Sequence, residues 1–248
     1  MKILVVADKV QDYIYSPGLK ERMPEVELVL SCGDLPFYYL EFIVSSLNVP
    51  LLYVFGNHNP FEYTARPSEH QRADLMTSCV TDHQTPGVSA HPCAPICTEC
   101  GPWGRVKWTP EGCINVDERV VHHEGLRIGG LEGSIRYKPD APHQYTEGQM
   151  RLKVARLSLR LAYARIRWGR SLDILITHAP PYNIHDRPDL AHRGFKAFLE
   201  FMDRVRPRYL IHGHCHIYRL QRPEVSQYGR TTVINVYGHS ILEVQPQP

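Results

Sequence analysis

Short apolar runs, each ending at a polar or glycine-bearing turn, recur along this chain and restrict its fold more than any other feature. Three come early, at residues 2–7, 26–30 and 51–55, and residues 37–47 between the last two have apolar side chains at helical spacing. Continuous apolar runs of this length are typical of strands buried on both faces of a sheet. Their alternation with a helix predicts βαβ units and therefore an α/β fold.

The second half of the chain repeats this pattern. Two amphipathic helices are predicted, over residues 146–168 and 194–204. Further strands are predicted at residues 116–121, 126–130, 172–176, 209–211, 232–236 and 241–244. Residues 60–110 differ, because they have many prolines, four cysteines and no strong period. We predict a single domain spanning residues 1–248, with an irregular Cys/Pro-rich insertion at about 60–110.

Composition excludes several classes of protein. The formal net charge is only +2, without the concentrated basic excess of a nucleic-acid binder, so a nucleic-acid partner is not expected. No apolar run is long enough to span a bilayer, and residues 3–7 are too short for the apolar region of a signal peptide. These features predict a cytoplasmic protein with no membrane partner. Seven cysteines without a secretory signal do not indicate a disulfide framework.

Metal-binding side chains follow five of the predicted strands. In chain order the motifs are Asp8, Gly33-Asp34, Gly56-Asn57-His58, Thr177-His178 and Gly213-His214-Cys215-His216. The carboxyl ends of strands in an open α/β sheet face one crevice, so these side chains should meet. Carboxylates, imidazoles and an amide suit Mn, Fe, Zn or Ni. Each motif alone is more often an ordinary turn, but the ordered set predicts a centre of two divalent ions that activate a hydroxide.

The ordered set of motifs resembles that of the calcineurin-like metallophosphoesterases. The resemblance covers nearly the whole chain, apart from residues 60–110 and the last few. It implies a four-layer α/β/β/α sandwich with the dinuclear metal site at one edge. It also implies a metal-dependent phosphoric ester hydrolase, either a phosphatase or a phosphodiesterase, whose substrate is a phosphomonoester or a phosphodiester.

The resemblance further implies a role for each residue. Asp34 is the bridging ligand, and His58 is the outer-sphere residue that contacts phosphate and assists the leaving group. The remaining ligands divide between a first and a second ion, namely Asp8 and His216 for the first, and Asn57, His178 and His214 for the second.

Two positions depart from the family pattern. Val10 stands where the first motif has a His, so the first ion loses a ligand that Asp12, Tyr13, Tyr15 or a water could replace. Asn59 stands where an acidic residue would orient His58. Both departures favour an alternative function, a catalytically weakened metal-binding fold that acts as a protein-interaction module, as a retromer subunit of this fold does. Retention of His58 favours the enzyme.

Three further features have two interpretations each. Cys93, Cys97, Cys100 and Cys113 could hold a structural zinc ion in the insertion, or they could be unpaired thiols of a variable loop. Arg136 follows a glycine-rich turn and could pair with substrate phosphate, or it could be an ordinary surface arginine. His185 could line the substrate crevice together with Asn57, or it could cap a turn.

Overall fold

A computed structural model of the chain describes residues 1–58, 109–168, 172–217 and 223–245. Contacts divide the chain into two compact units. One unit combines Met1–Asn59 with Glu111–Pro248, and the other is Pro60–Pro110. Apart from its last two residues, the second unit lies outside the described residues, as does the predicted irregular structure of the insertion.

The first sheet has five strands, and the early motifs follow three of its four consecutive parallel strands. Its order is β13-β1-β2-β3-β4, where the strands are β1 (Lys2–Ala7), β2 (Val26–Ser31), β3 (Leu51–Tyr53), β4 (Cys113–Asn115) and β13 (Gly238–Glu243). Strand β13 runs antiparallel to β1. The parallel pairing brings the carboxyl ends of β1, β2 and β3 to the same edge.

The second sheet has six strands, with a parallel centre and antiparallel edges. Its order is β11-β12-β10-β9-β6-β5, where the strands are β5 (Val120–His123), β6 (Leu126–Leu131), β9 (Ile174–Thr177), β10 (Tyr209–His212), β11 (Glu224–Tyr228) and β12 (Thr231–Asn235). A small parallel ribbon joins β7 (Ser134–Ile135) to β8 (Gln144–Tyr145). The ribbon follows directly on β6.

Four layers result from the packing of helices on these sheets. The described helices are α1 (Leu19–Arg22), α2 (Phe37–Leu47), α3 (Glu147–Trp168) and α4 (Lys196–Val205). One apolar core lies between the two sheets, and another lies between the second sheet and the α3–α4 pair. The predicted four-layer α/β/β/α sandwich is confirmed. Among the described residues, no helix has both the length and the apolar character needed to cross a bilayer.

The prediction of a strand over residues 116–121 is wrong for residues 116–119. The strand begins only at Val120, because Glu118 has a left-handed φ of 52° that interrupts an extended chain. In addition, the Asp117 N–H donates to the Asn115 side chain at 2.8 Å, which forms a local turn. The helix Phe37–Leu47 and the strand Lys2–Ala7 have the predicted limits.

A buried group of charges ties helix α3 to the second sheet. The Lys153 ammonium lies 2.6 Å from Asp117, 3.2 Å from Glu118 and 3.9 Å from Glu132, and Lys153 is only 6% exposed. Burial and the neighbouring Glu132 raise the pKa of Asp117 to about 6, although Lys153 opposes this shift. Glu132 also accepts a hydrogen bond from the Tyr145 hydroxyl. One cation therefore compensates several carboxylates that solvent scarcely reaches.

We expect Lys153→Met to lower the free energy of unfolding by about 3–5 kcal/mol, because it leaves the largely buried Asp117 carboxylate without the ammonium 2.6 Å away. The matched control is Arg151→Met on the same helix, whose half-exposed side chain pairs with Glu200 at 2.7 Å. The control should cost no more than about 1 kcal/mol. Urea unfolding followed by circular dichroism measures both values, and equal losses in the two variants would contradict the buried-charge account.

Candidate metal centre

The predicted ligands come from two sheets and meet at the edge where both sheets have the carboxyl ends of their parallel strands. Asp8, Asp34 and Asn57 follow strands β1, β2 and β3, whereas His178 and His214 follow β9 and β10. Hydrogen bonds cross between the sheets here. His178 Nδ1 donates to the Cys32 carbonyl at 2.8 Å, and the His214 N–H donates to the Asp8 carboxylate at 2.9 Å. The centre therefore spans the seam between the sheets.

Three of these ligands have an unusual backbone conformation. Asp8, Asp34 and His214 have φ values of 62°, 56° and 68°, all in the left-handed region. For residues other than glycine this conformation costs roughly 1–2 kcal/mol each. Such strain persists where surrounding structure enforces it and is concentrated at functional sites. The strained turns bring all three side chains to the seam.

Glycines permit the closest approaches at this edge. A Cβ atom on Gly56 would collide with the Asp34 carboxylate, and one on Gly213 would collide with the Asp8 carboxylate. Any larger residue at either position would displace a carboxylate from the seam. The glycine of these two motifs is therefore a packing requirement of the site.

Three polar groups converge on one imidazole nitrogen. His178 Nε2 lies 2.9 Å from Asn57 Oδ1, 3.1 Å from His214 Nδ1 and 3.3 Å from Asp34 Oδ2. Candidate ligand atoms of Asp34, His178 and His214 all lie within 4.8 Å of one another. We call His178 and its three partners the four-donor cluster. Its mixture of carboxylate, amide and imidazole donors fits a divalent transition metal.

Backbone carbonyls orient the two imidazoles of the cluster. His178 Nδ1 donates to the Cys32 carbonyl at 2.8 Å, and His214 Nε2 donates to the Ala191 carbonyl at 2.7 Å. Each ring therefore directs its other nitrogen toward the cluster. Hydrogen bonds of this kind fix the tautomer and orientation of metal-binding histidines.

Electrostatic interactions keep the His178 ring, at the centre of the cluster, protonated. Burial by itself would lower the pKa of His178, but the Asp34 and Asp8 carboxylates outweigh it and raise this pKa to about 9. Burial likewise would raise the pKa of Asp34, but His178 lowers it to about 2. Burial lowers the pKa of His214 to about 3. At neutral pH the proton on His178 thus lies among the donors that a cation would use.

Asp8 and His216, the ligands implied for the first ion, are less closely grouped. His216 Nε2 lies 3.8 Å from Asp8 Oδ1, and its ring packs in a tilted arrangement against Tyr237 at a centroid distance of 4.7 Å. Burial and the Asp34 charge raise the pKa of Asp8 to about 7. Of the suggested substitutes for the missing His, Tyr13 stacks on His239 and Tyr15 packs on Phe42 of helix α2.

The three substrate contacts predicted from the sequence lie in different environments. Asn57 belongs to the four-donor cluster. The Arg136 guanidinium is exposed and donates to the Gln144 carbonyl at 3.2 Å and to Gln149 at 3.1 Å. His185 lies 3.1 Å from His212 Nε2 and 2.8 Å from the Ser226 hydroxyl. The hydrogen bonds of Arg136 and His185 thus join protein segments to one another, and a role in substrate binding stays a prediction for both.

The predicted zinc site is only partly within the described residues. Cys113 is the first residue of β4, and its thiol donates to the Glu111 carbonyl at 3.5 Å. Cys93, Cys97 and Cys100 lie outside the described residues, so the zinc site stays a prediction.

Sequence reasoning missed Tyr137, which reaches the centre from the segment after β7. Its hydroxyl accepts a hydrogen bond from Asn57 Nδ2 at 3.0 Å and lies 3.5 Å from His58 Nε2. The sequence feature that could have indicated Tyr137 was its position directly after the glycine-rich turn and Arg136. The sequence alone favoured the arginine there, because arginine is the commoner phosphate ligand.

Comparison with known proteins identifies the family. The profile of the calcineurin-like phosphoesterases matches residues 1–218, which include all the predicted ligands. The chain belongs to the calcineurin-like phosphoesterase family. This membership supports a metal-dependent phosphoesterase in general terms.

Individual relatives are distant. The uncharacterized protein MJ1162 of Methanocaldococcus jannaschii is 27% identical over 128 residues, which is 49% of this chain and 53% of that protein, so the match spans about half of each. The crystal structure of TT1561 of Thermus thermophilus is 13% identical, covers 96% of this chain and 89% of that one, and has a TM-score of 0.53. At this identity it supports the fold alone.

We expect the affinity of the cluster for Mn²⁺ to rise with pH. A cation must displace the proton on His178, whose pKa of about 9 keeps the ring charged at neutral pH. Raising the pH from 7 toward 9 removes this competitor, so affinity should increase up to about tenfold per pH unit. Calorimetric titration in two buffers of different ionisation enthalpy measures both affinity and released protons. Binding without proton release at pH 7 would contradict this.

We also expect two unequal Mn²⁺ affinities, because the family resemblance assigns more protein ligands to the second ion than to the first. His178→Ala should abolish the tighter binding. Val10→His should tighten the weaker one by restoring a ligand, and it leaves the four-donor cluster intact as an internal control. Electron paramagnetic resonance titration of metal-stripped protein distinguishes the two sites. Equal affinities in the wild-type protein would refute the asymmetry.

Proposed function

We propose that this chain hydrolyses a phosphomonoester or a phosphodiester with two bound divalent ions. The observation that carries the proposal is the four-donor cluster, which lies at the sheet edge beside an exposed His58. Family membership supports the general class of reaction. We further propose manganese as a metal for the centre, because mixed oxygen and nitrogen donors suit it.

Seven side chains have roles in the proposed reaction, six as metal ligands and one, His58, at the leaving group. Asp34 would contribute to both ions, and the other members of the four-donor cluster would hold the second ion. Asp8 and His216 would hold the first. When bound, the ions supply positive charge that stabilises the phosphoryl group, and they make an attacking hydroxide available at neutral pH. The Cys32 and Ala191 carbonyls hold the His178 and His214 rings in place.

His58 acts on the leaving group in this proposal. The backbone N–H of His58 donates to Asp34 Oδ1 at 2.7 Å, which fixes the main chain of His58 against the cluster. Its side chain is exposed, so a substrate can reach the ring. The imidazole gives a proton to the departing oxygen as the ester bond breaks. General acid catalysis of this type contributes roughly 10²–10⁴-fold.

Hydrolysis can be tested on metal-stripped protein reloaded with Mn²⁺. Nitrophenyl phosphate and bis(nitrophenyl) phosphate report monoesterase and diesterase activity separately. His178→Ala, which removes a central member of the cluster, is the control for contaminating phosphatases. Loss of turnover in this variant supports the proposal. No turnover of either ester with both ions bound would contradict it and leave the protein-interaction module suggested by Val10 as the better account.

We expect His58→Ala to reduce turnover strongly for alkyl phosphates and much less for nitrophenyl phosphates. An alkoxide needs a proton to leave, whereas nitrophenolate is already stable as an anion. Metal content should not change, because His58 is not among the proposed ligands. Steady-state rates on the two ester classes measure the difference. An equal loss on both would mean that His58 binds phosphate or supports the loop without acting as an acid.

A further inference from the structure

We propose that Tyr137 is a positioning residue of this site, whose single hydroxyl fixes both the Asn57 amide and the His58 imidazole. The proposal rests on the proposed function for its consequence in catalysis. The contacts of Tyr137 involve only protein side chains, so its positioning role can be tested separately from hydrolysis.

The contacts of the hydroxyl carry the proposal. Tyr137 Oη accepts the Asn57 Nδ2 hydrogen at 3.0 Å and lies 3.5 Å from His58 Nε2. These neighbouring residues have different proposed tasks, one in metal binding and one in proton transfer. Within the described part of the chain, the His58 ring has its hydrogen bond with Tyr137.

The backbone around Tyr137 is held firmly enough to aim the ring. The N–H groups of Tyr137 and Lys138 both donate to Gln144 Oε1, at 3.1 Å and 3.0 Å. Gln144 is only 3% exposed and belongs to strand β8 of the small ribbon. The Arg136 guanidinium adds two bonds to the Gln144 carbonyl, at 3.2 Å and 3.3 Å. Arg136 thus secures the segment from which Tyr137 reaches the site.

The bond to Asn57 decides which end of the amide faces the cluster. Asn57 Oδ1 is directed at His178 Nε2, and its NH₂ group is directed at Tyr137. Reversal of the amide would present its hydrogens to the cluster, where a cation requires an oxygen. With its own hydrogen directed at His58 Nε2, the hydroxyl can only accept from Asn57, and this opposes the reversal. The hydroxyl therefore favours the metal-binding orientation of Asn57.

The same hydroxyl also restricts the orientation of the His58 ring. A phenol is both a donor and an acceptor, so one oxygen can accept from the Asn57 amide while its hydrogen faces His58 Nε2. This matters more here because Asn59 replaces the acidic residue that the family resemblance leads one to expect after His58.

Tyr137→Phe tests the proposal, because it removes one oxygen and keeps the ring. We expect Mn²⁺ affinity at the tighter site, measured without substrate, to fall roughly tenfold, since the hydrogen-bond partners of metal ligands typically contribute 10–100-fold. Turnover of alkyl phosphates should fall at least as much, and turnover of nitrophenyl phosphates less. The matched control is Tyr228→Phe on strand β11, which removes a hydroxyl that donates to the Asp203 carboxylate at 3.3 Å. The control should change none of these quantities.

A spectroscopic measurement keeps the result independent of hydrolysis. The imidazole ¹⁵N resonances of His58, observed at one pH in the metal-free protein, should shift in Tyr137→Phe and not in Tyr228→Phe. Unchanged His58 resonances together with unchanged Mn²⁺ affinity would overturn the proposal. If the wild-type protein with both ions bound hydrolyses nothing, the proposed function fails, yet the affinity and the resonances still decide the role of Tyr137.

Discussion

Two hydrogen bonds between the sheets determine how the rest of the site is arranged. One joins the His178 ring to the Cys32 carbonyl, and the other joins the His214 backbone to the Asp8 carboxylate. All four groups are removed from bulk water, so each bond also satisfies a polar group that would otherwise be costly to bury. The apolar core between the sheets brings the layers together without specifying their register. These directional contacts specify it at the edge where the ligands meet.

Support for this edge extends into the second sheet. The Gly133 N–H donates to the Phe55 carbonyl at 2.9 Å, and the Gly133 carbonyl accepts from the Ala179 N–H at 3.3 Å. This one residue therefore connects the segments that precede Asn57 and follow His178. Its neighbour Glu132 belongs to the buried group around Lys153. The charges that anchor helix α3 and the geometry of the metal centre are thus linked through adjacent residues.

Much of this arrangement was predictable from sequence, for an identifiable reason. Buried parallel strands are continuous apolar runs, and the residues after them, such as Asp8 and His178, must lie at one edge once the strands pair. The same reasoning failed at residues 116–121, where the left-handed Glu118 interrupts an otherwise strand-like sequence. It could not find Tyr137, because strand β7 has two residues and no period, and the placement of the ring depends on a hydrogen bond to the Gln144 side chain.

The protonated His178 ring bears on which metal the site would select. Burial is outweighed by the Asp34 and Asp8 carboxylates, which raise its pKa to about 9, so every ion that binds these donors would have to displace the same proton. Competition with that proton would therefore not distinguish one divalent ion from another. Since such donors accept several transition metals, the identity of a bound ion would depend on which one the surroundings supply.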